Sequence, residues 1–197
     1  MSPIQKLSIY LLVKPNNLVS ITSVLAVIGS VVILTGGIWD AISHLRGEPE
    51  LFWSIQHVSV YTGVSMITSA GIIGIILLVR NSVKGILKKG IQLVILGSII
   101  QLVSGFADSL SHDLYGIDGL ISWSHQPLEF GIVLAALGGF LIIKSRQHTK
   151  LKIFLPFSII SLLLLTSWLG FNIFLIFGHV IQCKPIYDIF SSGCSIL

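Results

Sequence analysis

GSVVILTGGIWDAISH, residues 29–44, and GSIIQLVSGFADSLSH, residues 97–112, align without a gap at an offset of 68 residues. Identities include Gly29/Gly97, Ser30/Ser98, Gly37/Gly105, Asp40/Asp108, Ser43/Ser111 and His44/His112. The register continues through Ser54/Ser122, His57/His125, Gly63/Gly131 and Gly71/Gly139, and Glu50 falls opposite Asp118. Histidine fills only 6 of 197 positions, so two matched histidines and a matched aspartate in one register mark an internal repeat. Both copies run in the same direction, which relates them by an axis along the membrane normal. The repeated glycines suit close helix packing in lipid.

The surroundings of the repeat are apolar. Hydrophobic residues make up 53% of the chain and charged residues 10%, with a mean hydropathy of +0.94. A soluble domain carries about 25% charged residues, so this composition belongs to a bilayer and excludes disordered and nucleic-acid-binding readings. Five stretches reach the roughly 20 residues a spanning helix needs: about 18–43, 53–79, 90–111, 121–144 and 153–178. The first continues without an A-x-A-like cleavage site and reads as a spanning helix, not a signal peptide. The expected fold is therefore an all-α polytopic transmembrane bundle of two tandem hairpins plus a fifth helix.

The expected segments are an N-terminal arm (1–17), hairpin repeat 1 (18–80), a basic loop (81–89), hairpin repeat 2 (90–145), a second basic loop with the fifth helix (146–178), and a tail (179–197). Residues 3–14, ahead of Pro15, have the loose alternation of an interfacial helix. Lys6 and Lys14, then Arg80, Lys84, Lys88 and Lys89, then Lys144, Arg146, Lys150 and Lys152 fall on one side if all five stretches cross. The positive-inside rule makes that side cytoplasmic in a multi-pass cell-membrane protein, with the C-terminal tail facing outward. Cys183 and Cys194 are the two cysteines. They make one disulfide if the tail faces an oxidising side, and are otherwise free thiols.

Each repeat carries Asp-x3-His-x12-His: Asp40, His44 and His57, then Asp108, His112 and His125. Asp and His at i and i+4 share a helix face, about 5–6 Å apart. The second His opens the returning helix just across the outer loop, so one hairpin can converge all three. Two imidazoles and a carboxylate suit copper, iron or zinc with open positions. The competing reading is a structural polar network. Ionisable groups at membrane depth are costly and functional by default, and here the set occurs twice.

Tyr61 and Glu129 share a repeat position four residues after the second His, on the ligand face. They are candidates for hydrogen-bond partners of the ligands, Glu129 also for an additional ligand. Ser43 and Ser111 read as helix back-bonding residues. Trp39, Trp53 and Trp123 read as an interfacial aromatic belt. His148, in a basic loop, and His179, after the last span, receive no site.

The motif on a transmembrane hairpin, with an aromatic four residues on, resembles the C subunit of copper membrane monooxygenases, the particulate methane and ammonia monooxygenases. The resemblance covers roughly residues 25–145. It implies a copper site near the outer face at Asp40, His44 and His57, and a related second site at His112 and His125. Departures are Ile55 and Trp123 where the family has Pro, and Asp108 where its second triad has Asn.

Four functions follow in order of expectation. The first is a copper-binding subunit of a membrane oxidase or monooxygenase complex, with partner subunits and a small apolar substrate arriving from the bilayer. The second is a metal module without catalysis, for copper handling or stabilisation. The third is a membrane-embedded zinc hydrolase, with Ser43, Ser111 or Glu129 assisting zinc-bound water; two nearly identical triads count against it. Last is a haem protein, since an Asp one turn from each of His44 and His112 sits awkwardly against the macrocycle.

Overall fold

The computed structural model describes residues 14–46, 53–115, 121–122, 125–177 and 193–194. It is an all-α bundle with five helices, α1 (Pro15–Leu45), α2 (Ile55–Val79), α3 (Gly85–Tyr115), α4 (His125–Ser145) and α5 (Leu155–Phe177). All five are long and apolar enough to cross a membrane, α5 together with the short 3-10 turn Lys150–Phe154 that leads into it. In hydrocarbon a helix satisfies every backbone polar group within one segment. The buried hydroxyls follow the same economy: Ser23 and Ser30 donate to the carbonyls of Val19 and Ala26, one turn back. Large apolar side chains stand exposed on every helix, among them Ile72, Val103, Phe106, Leu163 and Phe174. A water-exposed surface does not tolerate such continuity; a lipid-facing one requires it.

Proline, glycine and lysine set the ends. Pro15 opens α1, where its missing N–H would lack an acceptor anyway. Pro127 and Pro156 lie in the first turns of α4 and α5 for the same reason. The fourth span therefore begins at His125, later than the expected 121. Residues Ile121–Ser122 instead pair antiparallel with Gly193–Cys194 of the tail. The basic loop expected over 81–89 is shorter. Asn81 (φ 51) and Gly85 (φ 60) turn the chain through the left-handed region, and α3 starts at Gly85. Lys88 and Lys89 join that helix because lysine is a good helix former whose stem can lie along apolar surface. The arm before Lys14, including the expected interfacial helix, lies outside the described residues.

The repeat is visible in the packing. α1 crosses α2 where Gly29 meets Gly63, and α3 crosses α4 where Gly97 meets Gly131. A methyl group on Gly29 would come within 2.9 Å of the Gly63 carbonyl oxygen, and one on Gly97 within 2.5 Å of the Gly131 carbonyl oxygen. Each hairpin is thus closed by backbone-to-backbone contact at equivalent positions. The hairpins join through Gly71 of α2 against Ser98 of α3, and Gly139 of α4 against Ala26 and Val27 of α1. The four helices form a ring, and α5 packs over α4 and α1. Two apolar cores fill it: Leu18, Val19, Leu77, Ile91 and Ile142 lie toward the basic end, and Ile33, Ile67, Ile132, Ala135 and Leu165 lie nearer the Asp-bearing end.

Candidate metal centre

Asp40 lies near the end of α1 and His57 in the first turn of α2. Closing the hairpin at Gly29 and Gly63 brings the two together: His57 Nε2 is 3.1 Å from Asp40 Oδ1. The second hairpin repeats the arrangement, with His125 Nε2 3.3 Å from Asp108 Oδ2. The environments match as well. The His and Asp side chains are 23% and 14% exposed in the first couple, and 21% and 15% in the second. Each couple is sheltered and still reachable.

These separations bear on metal binding. Ligand atoms bound at 2.0–2.1 Å around a tetrahedral ion are about 3.3 Å apart, and around a square or octahedral one about 2.9 Å. The separation in each couple therefore matches one edge of a coordination polyhedron. The same distances suit a histidine–aspartate hydrogen bond. His44 and His112 continue the helices one turn beyond Asp40 and Asp108, on the same face. Their side chains lie outside the described residues. Among the described residues, no group of three or more His, Cys, Asp and Glu side chains converges. The structure thus brings Asp40 together with His57 and Asp108 together with His125. Cys183 lies outside the described residues, and of Cys194 only the backbone is described.

The two residues at the shared position after the second His have diverged. Tyr61 packs against His57, ring centroids 6.2 Å apart, and takes Trp53 edge-on at 6.0 Å. Glu129 turns instead to the fifth helix. Its Oε1 accepts hydrogen bonds from Trp168 Nε1 (3.0 Å) and Asn172 Nδ2 (2.6 Å), and His125 lies within electrostatic range. Glu129 is therefore held as a partner of α5 one turn below His125.

Sequence reasoning missed three members of this polar interior. Trp168 and Asn172 sit on α5, outside the repeat, so self-comparison cannot find them. Asn172 had a signal of its own: a carboxamide in the second half of an apolar spanning helix needs a buried partner. The third is Gln101, fully buried, whose Nε2 donates to the Gly131 carbonyl at 3.3 Å. It replaces Ile33 of the first repeat, a substitution visible in the aligned copies.

Fold and site together define a helical membrane-spanning protein of duplicated hairpins, each carrying a histidine–carboxylate couple. No family model matches the chain, and no curated protein or solved structure matches it.

Proposed function

We propose that this chain is an integral-membrane copper protein that holds metal through two triads, Asp40, His44 and His57, and Asp108, His112 and His125, as part of a membrane oxidase resembling the copper monooxygenases. The observation that carries the reading is the duplicated couple: 3.1 Å and 3.3 Å between ligand-type atoms, at equivalent positions and equal shelter. A structural polar contact has no need to recur with its spacing, partners and exposure intact. Copper is favoured because imidazole nitrogen suits it and the divalent series peaks at Cu²⁺. Zinc and iron are the alternatives.

Bound copper with open positions would supply oxygen binding and one-electron chemistry. The chain's own residues supply the rest. Asp40 and Asp108 would bind beside the imidazoles of His57 and His125 as carboxylate ligands, lowering the net charge of the loaded site. Tyr61 and Trp53 shield the first couple, and Trp168 and Asn172 anchor Glu129 beside the second, so the two sites differ in polarity. The exposed apolar belt admits small apolar substrates from the lipid. Electrons would come from partner subunits. In this reading the basic end and the N-terminus are cytoplasmic, and the triads face outward.

Electron paramagnetic resonance of the Cu(II)-loaded protein tests the reading. The expected spectrum shows nitrogen coupling from imidazole, with about half the bound copper lost in His57→Ala and half in His125→Ala. A spectrum of unbound or non-specifically bound Cu(II), unchanged by either substitution, overturns it. A second reading, a polar network that staples each hairpin, rests on the fit of the same distances to a hydrogen bond; it expects loss of stability without loss of metal in these variants.

A further inference from the structure

We infer that the groove at the basic end, between the α4–α5 connection and the start of α5, is a binding site for an anionic phospholipid. The groove is a shallow, open depression of about 840 Å³. It is lined by Gln147, His148, Lys150 and Lys152 of the connection, and by Ile153, Leu155 and Pro156 where α5 begins. A phosphodiester beside an acyl chain has that same division.

The charge is one-sided. The chain holds no Asp or Glu between Glu129 and Asp188. Arg80, Lys84, Lys88 and Lys89 from the α2–α3 turn add positive charge at the same end. An anion in the groove meets no opposing carboxylate among the described residues. Its nearest polar side chains are also uncommitted: His148, Lys150 and Lys152 have no hydrogen-bond or ion-pair partner among the described residues. Arg146, by contrast, is engaged, its Nη2 donating to Asn16 Oδ1 at 3.0 Å.

That engagement builds the site. It ties the connection to the start of α1. Thr149 Oγ1 then donates to the Arg146 carbonyl (2.7 Å) and accepts from the Leu151 N–H (3.3 Å), so the connection is a capped turn. The free cations are presented from a fixed backbone, and less ordering remains to be done on binding. Ile153 in the groove and Phe157 one turn further on are 67% and 54% exposed. They continue the apolar wall along α5, where an acyl chain would lie. Clusters of basic side chains at the end of a spanning helix recognise acidic headgroups by this combination.

The test uses the full chain in detergent, stripped of lipid and titrated with phosphatidylglycerol or phosphatidylcholine, with bound lipid counted by native mass spectrometry. Two triple variants are compared: His148→Gln with Lys150→Gln and Lys152→Gln, and Lys84→Gln with Lys88→Gln and Lys89→Gln. All six side chains are at the basic end, and thermal melting verifies folding. The expected result is preference for phosphatidylglycerol, weakened about tenfold or more by the first triple and little by the second. Equal weakening by both triples would reduce the effect to the general charge of that end and overturn the site. Equal binding of the two lipids would overturn it too, and displacement by inorganic phosphate at matching concentration would assign the groove to a soluble anion instead.

Discussion

Replacing Gly97 by alanine tests the central role of the hairpin crossings. The new methyl would lie 2.5 Å from the Gly131 carbonyl oxygen, 2.7 Å from the Ala135 amide nitrogen and 3.0 Å from its Cβ. Two of the three are backbone atoms of a helix and cannot rotate away. Ordinary contact begins near 3.4 Å, so α3 and α4 must separate by about 0.9 Å, which forfeits a large part of the contact energy along the seam. Overpacking of this kind costs about 1–3 kcal/mol, and the backbone clash puts Gly97→Ala at the upper end, about 3 kcal/mol. Gly29→Ala faces 2.9 Å approaches to the Gly63 oxygen and to Ile67 Cγ1, one of them a movable side chain, and is expected to cost about half as much. Gly37→Ala meets nothing within 4 Å and should be neutral, or gain slightly from helix propensity. Unfolding of the three variants in mixed micelles titrated with dodecyl sulfate, followed by tryptophan fluorescence, reads the order directly. A loss of 3 kcal/mol lowers the folding constant more than a hundredfold. If Gly97→Ala unfolds with Gly37→Ala, the backbone contact does not hold the hairpin and the reasoning fails.

Other substitutions probe the polar interior. Glu129→Ala leaves the Trp168 and Asn172 N–H donors without their acceptor and should cost about 2 kcal/mol; Glu129→Gln, which keeps a carbonyl oxygen there, should recover most of it in a thermal melt. Gln101→Ile copies Ile33 of the first repeat and removes a buried amide with one 3.3 Å hydrogen bond, so stability should change by less than about 1 kcal/mol. A clear loss would mean that the amide has a role beyond packing. Arg146→Ala breaks an exposed hydrogen bond to Asn16 and should shift stability by no more than about 1 kcal/mol, while releasing the α4–α5 turn to faster amide exchange.

The repeat was legible because its constraints are chemical. Only glycine allows the crossings at Gly29/Gly63 and Gly97/Gly131, and a carboxylate–imidazole couple needs Asp and His at fixed steps from those crossings. The spacing led to the expectation that each hairpin could gather its Asp and His residues, and the structure brings Asp40 beside His57 and Asp108 beside His125. The helix ends were less legible. Hydropathy treats lysine as loop, whereas Lys88 and Lys89 are helical with their charges carried outward. Pro127 set the start of α4 inside a run that hydropathy had begun at 121. Least legible was the difference between the copies. Glu129 and Tyr61 align, but their roles are decided by α5, which has no counterpart in the repeat. Trp168 and Asn172 became partners of Glu129 only through a packing that no local pattern encodes.

The most direct test of the metal reading is the metal content of the purified full chain by mass spectrometry, beside His57→Ala and His125→Ala. The account predicts copper near two per chain in the wild type after loading, falling to about one in each single variant and to none in the double variant. Wild-type protein that holds no stoichiometric metal after reconstitution with copper, zinc or iron would contradict it and leave the two couples as hydrogen-bonded staples of a duplicated membrane bundle.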